Sequence, residues 1–561
     1  MNKIKENLIV IGLYFIITCI FTFPLMFHLS TYGVFDDADA YLMQWNLAQN
    51  VHKLSTNPLD LFNANYFYPH NNTLAYSEHH FLSSLLAFPI IKVFDNPLLA
   101  LNLLILFSYV ISGWGTYLLV SRLTKSKLAG FLAGLIFAFA PFRAIHFSRL
   151  HVVSTQYLPF ILLFLDKIFS EKPRTKNFAF FTLFLILQSF TSLHLTFFIL
   201  VVVFFMILFN FLINHSLFNK KVIFLFLVSF TVLFLINLPL ILPYLQLGNV
   251  AGSNRYISIY YSPTILDYLK ISPAFNYLFG YPKTLEKNLY PGFAVLLLFI
   301  ISIYFLFKVI KDNRDAKLNK KLYIFFIILI VTFLLSFGPT IRFSDSDQGI
   351  VGPYLLLEKI VGGETGFRAA GRFFIVSILI MAIIIGYGMS KILSRFKSSF
   401  RKNLFVVFIS LVIMCEYFII PPFSPLRLTA QEKDRATSSV YDWIAQQPGD
   451  FAILELPIGK DPLTETRYIY FSIFHWKNLV NGYSGHYPRE YFALENAMKG
   501  FPSEEALKMI EYYNPKYVIV HFDELEPPFL KIKPTDLEGM RELKSVYSTQ
   551  NVSVYQFQKS E

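Results

Sequence analysis

The 561-residue chain is 55% hydrophobic and 18% aromatic, with 63 phenylalanines and a mean hydropathy of +0.49, far more apolar surface than one soluble core of this size buries. Its net charge of +12 comes without any basic, aromatic-interleaved module, which excludes a nucleic-acid binder. Cys19 and Cys415 both fall in apolar runs, which excludes a disulfide framework or a thiolate metal site and leaves a polytopic α-helical membrane protein.

The first seven residues are polar and basic, and the apolar run behind them continues to about Phe27 without a small-residue cleavage pattern, so it is expected to stay as a first span. Further runs of span length, about 17–25 residues, lie near 98–120, 128–141, 156–169, 222–245, 291–309, 322–338, 373–390 and 403–420. The run 177–214 is too long for one helix and is expected to turn near Gln188, Ser189, Thr191, Ser192 and His194. That makes about eleven spans.

Orientation hangs on 80–94, which is apolar but short, contains Pro89 and is followed at once by Asp95, Asn96 and Pro97. Counted as a span, it would put every later Lys/Arg-rich loop outside. Laid in the outer interface, it leaves the N-terminus cytoplasmic together with 22 basic residues against 5 acidic ones, while the outer loops balance at 12 and 12. The positive-inside rule selects this second arrangement. The outer loops are then 28–97, 142–155, 246–290 and 339–372, all within a transmembrane domain of residues 1–420.

From Pro421 and Pro422 onward the composition is that of a soluble domain. Strands are expected over 451–456 and 516–521, a hairpin or edge over 546–557, and helices over 440–447 and 503–513, the latter capped by Ser503 with Glu504 and Glu505 in its first turn. Residues 421–561 should form a small extracytoplasmic α/β domain.

The chemistry is sought on the outer face. Asp36, Asp37 and Asp39 stand within one turn of a membrane exit, where keeping three carboxylates close together raises at least one pKa and suits a general base. Together they can also ligate a hard divalent cation such as Mg2+ or Mn2+; the plainer alternative is an N-cap with acidic first-turn residues for an amphipathic helix over 40–54. Asn63 to Asn72 give a polar and aromatic lining of the kind that holds a sugar, and Glu78 and His79 either face the acidic cluster or cap the interfacial helix. Arg143, His146 and Arg149 can share one helical face and clamp a phosphate, or snorkel at a membrane exit. Arg368 and Arg372, i and i+4 behind a glycine-rich turn, can hold a lipid phosphate or anchor their helix in anionic headgroups. No Walker loop, G-x-S-x-G elbow, H-E-x-x-H or C-x-x-C pattern occurs, which argues against an ATP-driven pump, a serine hydrolase or a zincin.

With an N-in first span, an outer loop that opens on acidic residues, an interfacial helix preceded by histidine and a C-terminal outer domain, the chain resembles the GT-C superfamily of membrane glycosyltransferases. Within it, the chain looks closest to a bacterial branch of the glycosyltransferase 39, or protein O-mannosyltransferase-like, group. Asp36-x-x-Asp39-Ala40, Asn72 to His79, Leu454-Glu455-Leu456-Pro457 and Asn481-Gly482-Tyr483-Ser484-Gly485 carry that likeness.

The resemblance implies a lipid-linked sugar donor on polyprenyl phosphate, a cell-envelope acceptor (glycan, lipid or protein), contact with membrane lipids, and a multi-pass place in the plasma membrane. By the same resemblance Asp36 or Asp39 would deprotonate or position the acceptor hydroxyl. Two departures stand out. The mannosyltransferase type has His-Pro-Pro where this chain has Glu78-His79-His80, and no acidic residue lies between Phe142 and Gln156, where metal-dependent oligosaccharyltransferases keep one. Metal dependence therefore stays open. Two other classes remain beside the enzyme: a lipid or polysaccharide transporter, and a non-catalytic assembly factor on a GT-C scaffold. A transporter should bury ionisable residues at mid-membrane, and the span interiors here are almost free of charge.

Overall fold

The computed structural model describes residues 3–34, 38–249, 260–268, 287–311, 316–345, 347–360, 369–418, 428–431, 435–525 and 532–559. They fall into two compact units. The first comprises Met1–Leu29, Asn102–Leu238 and Ser253–Arg427; the second comprises Ser30–Leu101, Pro239–Gly252 and Leu428–Glu561. The described strands are β1 (Tyr32–Val34), β2 (Thr340–Ile341), β3 (Ile350–Val351), β4 (Leu428–Ala430), β5 (Ala452–Leu456), β6 (Asn478–Leu479), β7 (Tyr517–His521), β8 (Leu543–Ser548) and β9 (Val552–Phe557).

Helices occupy every apolar run that the sequence marks as a span: Lys3–Phe21, Pro97–Thr124, Lys127–Ala138, Leu158–Ser170, Thr175–Thr191, Leu193–Ile213, Lys220–Leu245, Phe293–Lys311, Ala316–Ser336, Phe374–Ser394 and Ser399–Tyr417. The long run does break, at Ser192, whose backbone turns extended and whose hydroxyl caps the next helix by accepting the Leu195 N–H at 3.3 Å. Among the described residues, 7 helices are long and apolar enough to cross a membrane, and the protein is membrane-embedded.

The first unit is built around Phe374–Ser394, which is buried without a break from Phe374 to Met389 and packs against Lys127–Ala138, Phe293–Lys311 and Ala316–Ser336. Gly388 permits one of these crossings, because a Cβ there would overlap Ser302. Lys3–Phe21 and Lys220–Leu245 do the opposite: they expose Ile16, Phe224, Leu227, Phe234 and Leu235, an apolar surface that suits lipid and not water. At one polar end Asp166 takes Arg122 at 3.0 Å and Lys321 at 2.5 Å, while Glu6 takes Lys127 at 2.6 Å. Of the five acidic residues of the expected cytoplasmic segments, Glu6, Asp166 and Glu171 are thus matched by part of the basic excess there, and Asp312 and Asp315 lie outside the described residues.

The second unit carries a five-stranded sheet in the order β6-β5-β7-β9-β8. β5 runs parallel to β6 and β7, and β9 runs antiparallel to β7 and β8. β5 and β7 are buried at every residue, as suits central strands whose runs are apolar but for Glu455 and His521. The helix Glu504–Tyr513 has the expected cap, the Ser503 hydroxyl accepting the Ala506 N–H at 3.3 Å.

Residues of the first loop belong to this same unit. Leu479 N–H donates to Asn65 O at 2.6 Å, Tyr68 N–H to Leu479 O at 3.0 Å and Phe67 N–H to Asn481 O at 3.0 Å, so residues 65–68 cover the β6 edge of the sheet. β1 pairs antiparallel with β4, and the helix Asp39–Thr56 packs on Pro462–Phe471. The segment 30–101, assigned by sequence to the transmembrane domain, is here compact with the C-terminal α/β region.

Candidate active site

Asp36 and Asp37 lie outside the described residues. Asp39 is half-buried and opens the helix Asp39–Thr56, where a carboxylate is favoured by the unpaired first-turn N–H groups; Ala38 at the N-cap offers no side-chain bond of its own. The amphipathic helix expected here is instead buried on all faces from Ala40 to Val51. Its amides make this affordable by finding partners inside the protein. Asn46 Nδ2 donates to Glu78 O at 2.9 Å, and Asn50 Nδ2 reaches His79 O at 2.7 Å, Ser84 Oγ at 2.9 Å and Asn46 Oδ1 at 3.1 Å. Trp45 Nε1 donates to Asn65 Oδ1 at 3.2 Å.

Asn46 and Asn50, i and i+4 on one face, therefore hold the turn that carries Glu78 and His79. Sequence reasoning did not single them out. The available signal was a set of four amides, Gln44, Asn46, Gln49 and Asn50, in one largely apolar stretch.

His79 Nδ1 accepts the Phe81 N–H at 3.0 Å at the head of the helix Phe81–Phe94. Glu78 is half-buried, with its carbonyl fixed by Asn46. His80 sits in the left-handed region at φ 49°, fully buried. Burial, and then the neighbouring His79, push its imidazole down to about 3, so it is neutral at physiological pH. Among the described residues no group of three or more His, Cys, Asp or Glu side chains converges as a metal site.

In the first unit the second loop folds as two short helices, Pro141–Ile145 and Leu150–Val153, so Arg143, His146 and Arg149 do not lie on one continuous helical face. Arg143 is 0% exposed and points inward. Its guanidinium donates to Ala138 O, to Ser108 Oγ at 2.9 Å and to Val153 O at 2.8 Å, and lies 4.3 Å above the Tyr109 ring. These bonds tie the loop to the helix Pro97–Thr124.

Arg149 Nη1 lies 3.1 Å from His146 Nδ1, and Arg372 Nη1 lies 3.1 Å from His151 Nε2. A guanidinium only donates, so each of these imidazole nitrogens accepts and is unprotonated in the pair. The second loop and the segment entering Phe374–Ser394 thus meet at His151 and Arg372. Arg143 does not join them, and Arg368 lies outside the described residues.

A search of curated proteins returns no match to this sequence. Solved structures do match, over nearly the whole chain. The arabinofuranosyltransferase AftD from Mycobacteria, a single-particle cryo-EM structure, aligns with 99% of this chain and 40% of its own at a TM-score of 0.63 and 12% identity. The present chain therefore spans about two fifths of that protein. The Archaeoglobus fulgidus oligosaccharyltransferase in its apo form aligns with 99% of this chain and 75% of its own, at a TM-score of 0.56 and 13% identity. At such identities the likeness is one of fold alone, a fold shared with these two proteins. The family model described as a domain of unknown function, DUF6311, matches residues 9–414, and the chain belongs to that family.

Proposed function

We propose that this chain is an inverting glycosyltransferase that moves a sugar from a polyprenyl-phosphate donor to a hydroxyl of a cell-envelope acceptor on the outer face of a bacterial plasma membrane. The observation that carries the reading is Asp39: in a fold shared with two sugar transferases, a carboxylate heads a helix buried from Ala40 to Val51 whose amides also hold the Glu78–His79 turn. A base must be held within a few tenths of an ångström to act, and a helix packed on every side does that better than a loop.

In this reading Asp39, or Asp36 three residues before it in the sequence, takes the proton of the acceptor hydroxyl, with Asp37 adding to the field that raises the base's affinity for it. The acceptor oxygen attacks the anomeric carbon from the side opposite the phosphate, and the carbon–oxygen bond to the phosphate breaks. The electron pair leaves with the polyprenyl phosphate, which departs with one more negative charge, and the sugar's configuration inverts. Arg149 and Arg372 neutralise that charge, assisted by Arg368. His146 orients Arg149, Glu78 and His79 shape the acceptor side, and Arg143 holds the second loop in place.

The proposal includes the membrane topology: about eleven spans, N-terminus cytoplasmic, and the region after 421 extracytoplasmic. The 14 residues of Phe81–Phe94 reach only about 21 Å as a helix, short of a hydrocarbon core of roughly 30 Å, which supports an interfacial position. The test is release of polyprenyl phosphate by the full chain in nanodiscs supplied with polyprenyl-phosphate sugar and acceptor. Asp39→Asn or Asp36→Asn should lower the rate by about 10²–10⁴. Full transfer by both variants would sink the assignment.

A further inference from the structure

A cleft of about 340 Å³ opens in the second unit, within the ~300–1,000 Å³ typical of small-ligand sites. It lies where the C-terminal half of Asp39–Thr56 meets the loop 60–71 and the flank of β6. Gln49 on its wall is about 15 Å along the helix axis from Asp39, so the cleft is separate from the proposed base.

Its chemistry is specific. Gln49 is 1% exposed, its Nε2 makes only a 3.5 Å contact to Asn63 O, and its Oε1 has no partner, although a buried acceptor left unmet costs about 1–3 kcal/mol. His52 and Trp476 stack at 4.0 Å with 13° between their planes, giving the cleft a flat aromatic slab. Burial, then Lys53 and Lys92, hold the His52 imidazole below the usual histidine range, so the slab is uncharged at neutral pH.

The one ion pair on the wall is closed: Lys53 Nζ meets Asp60 Oδ2 at 2.6 Å, and Asn63 Nδ2 holds the other oxygen at 2.5 Å. Among the described residues of the wall, no lysine or arginine is left over to select an anion. Tyr68, Asn71 and Asn478 line the cleft with side chains that make no hydrogen bond among the described residues. A peptide strand has no edge to join, because residues 65–68 already cover β6.

Unspent hydroxyl and amide groups, a flat ring pair and no net charge are the recognition chemistry of a neutral saccharide. We propose that this cleft binds a neutral oligosaccharide, the part of an acceptor glycan remote from the bond being formed. The word acceptor rests on the transferase reading; the binding of saccharide does not.

The test uses the full chain in nanodiscs, titrated by saturation-transfer NMR with neutral trisaccharides of glucose, mannose, galactose or arabinose, with a trisaccharide of galacturonic acid, and with a hexapeptide. At least one neutral trisaccharide should bind with a Kd of about 1 mM or tighter. Tyr68→Phe and Asn478→Ala remove no internal hydrogen bond and should each weaken it by roughly 3–10-fold, while Trp476→Phe should retain more binding than Trp476→Ala. No saturable neutral saccharide, preference for the acidic sugar or the peptide, or indifference to both Tyr68→Phe and Asn478→Ala would each overturn the inference. If saccharide binds but the full chain shows no transfer for the Asp36 and Asp39 variants to lower, the transferase reading falls and the cleft stands. If those variants abolish transfer and no saccharide binds, only the cleft falls.

Discussion

Glu465 should make the second unit lose stability as pH rises, and replacing it by glutamine should remove that loss. The side chain is 3% exposed in the first turn of Pro462–Phe471. Burial pushes its carboxyl from 4.5 up to about 8; the Gly459 N–H at 2.6 Å and Asn481 at 3.4 Å pull the other way, and Glu495 adds like charge. The folded state therefore holds a proton that the unfolded chain releases. Stability from this group is fully present below about pH 4.5 and is lost as pH rises through about 8.

At about 1.4 kcal/mol per pH unit, the full loss is on the order of 3–5 kcal/mol. In a unit of this size that corresponds to a Tm difference on the order of 10 °C. Glu465→Gln keeps an oxygen for the Gly459 N–H and carries no titrating proton. Thermal unfolding of the detergent-solubilised chain should show the variant close to wild type at pH 5 and clearly more stable at pH 8. A variant less stable than wild type at pH 8, or offset equally at both pH values, would show that the hydrogen bonds outweigh burial and that the carboxylate is ionised in the fold.

The two arginines of the first unit should separate by readout. Arg143→Ala, which strips partners from Ser108, Ala138 and Val153, should lower stability by about 2–4 kcal/mol in thermal unfolding, whereas Arg372→Ala should cut polyprenyl-phosphate release by about 10²-fold with little change in Tm. Asn50→Ala removes the amide that donates to His79 O and Ser84 Oγ and should destabilise the turn by about 1–3 kcal/mol, seen as faster hydrogen exchange at Phe81 and Ser84. Gly482→Ala drives a methyl group into the Phe67 ring and should cost about 1–3 kcal/mol, read as loss of amide protection at Phe67 and Tyr68.

Which of these features could be read from the sequence follows from the range over which each is determined. Helices appear wherever apolar runs of span length occur, and the break at Ser192 is marked by its polar neighbours, because both depend on a dozen consecutive residues. The strands 452–456 and 517–521 were legible for the same reason. Arg143 was not: in sequence it is a cation beside a membrane exit, and only the helix Pro97–Thr124, which supplies Ser108 and Tyr109, turns it inward. Asn46 and Asn50 carry no local signature of their partners, which lie about thirty residues ahead. The cleft was half visible, since Asn63 to Asn72 read as a sugar lining, but Trp476 and Asn478 come from some four hundred residues further on.

The C-terminal motifs that carry the sequence resemblance gain a physical meaning from the same long-range pairing. Asn481 uses its amide as a strand would: Oδ1 accepts the Glu455 N–H at 2.8 Å and Nδ2 donates to Glu455 O at 2.9 Å, extending the pairing of β5 beyond the end of β6. Its own carbonyl is then turned to accept the Phe67 N–H. The next residue must be glycine because the Phe67 ring fills the space of a side chain, and Gly482 N–H donates to Tyr491 OH at 2.9 Å. Glu455, buried in the strand, is met by Tyr441 at 2.7 Å and His521 at 2.8 Å. Leu454 to Pro457 and Asn481 to Gly485 therefore fasten the loop 63–70 to the sheet, and that loop supplies Asn65 to Trp45 of the helix headed by Asp39. Substitution in these motifs should thus act on the candidate base through its scaffold: an Asn481→Ala chain should lose amide protection at Phe67 before any change in the pH profile of transfer, whereas a direct catalytic role would shift that profile with the loop still protected.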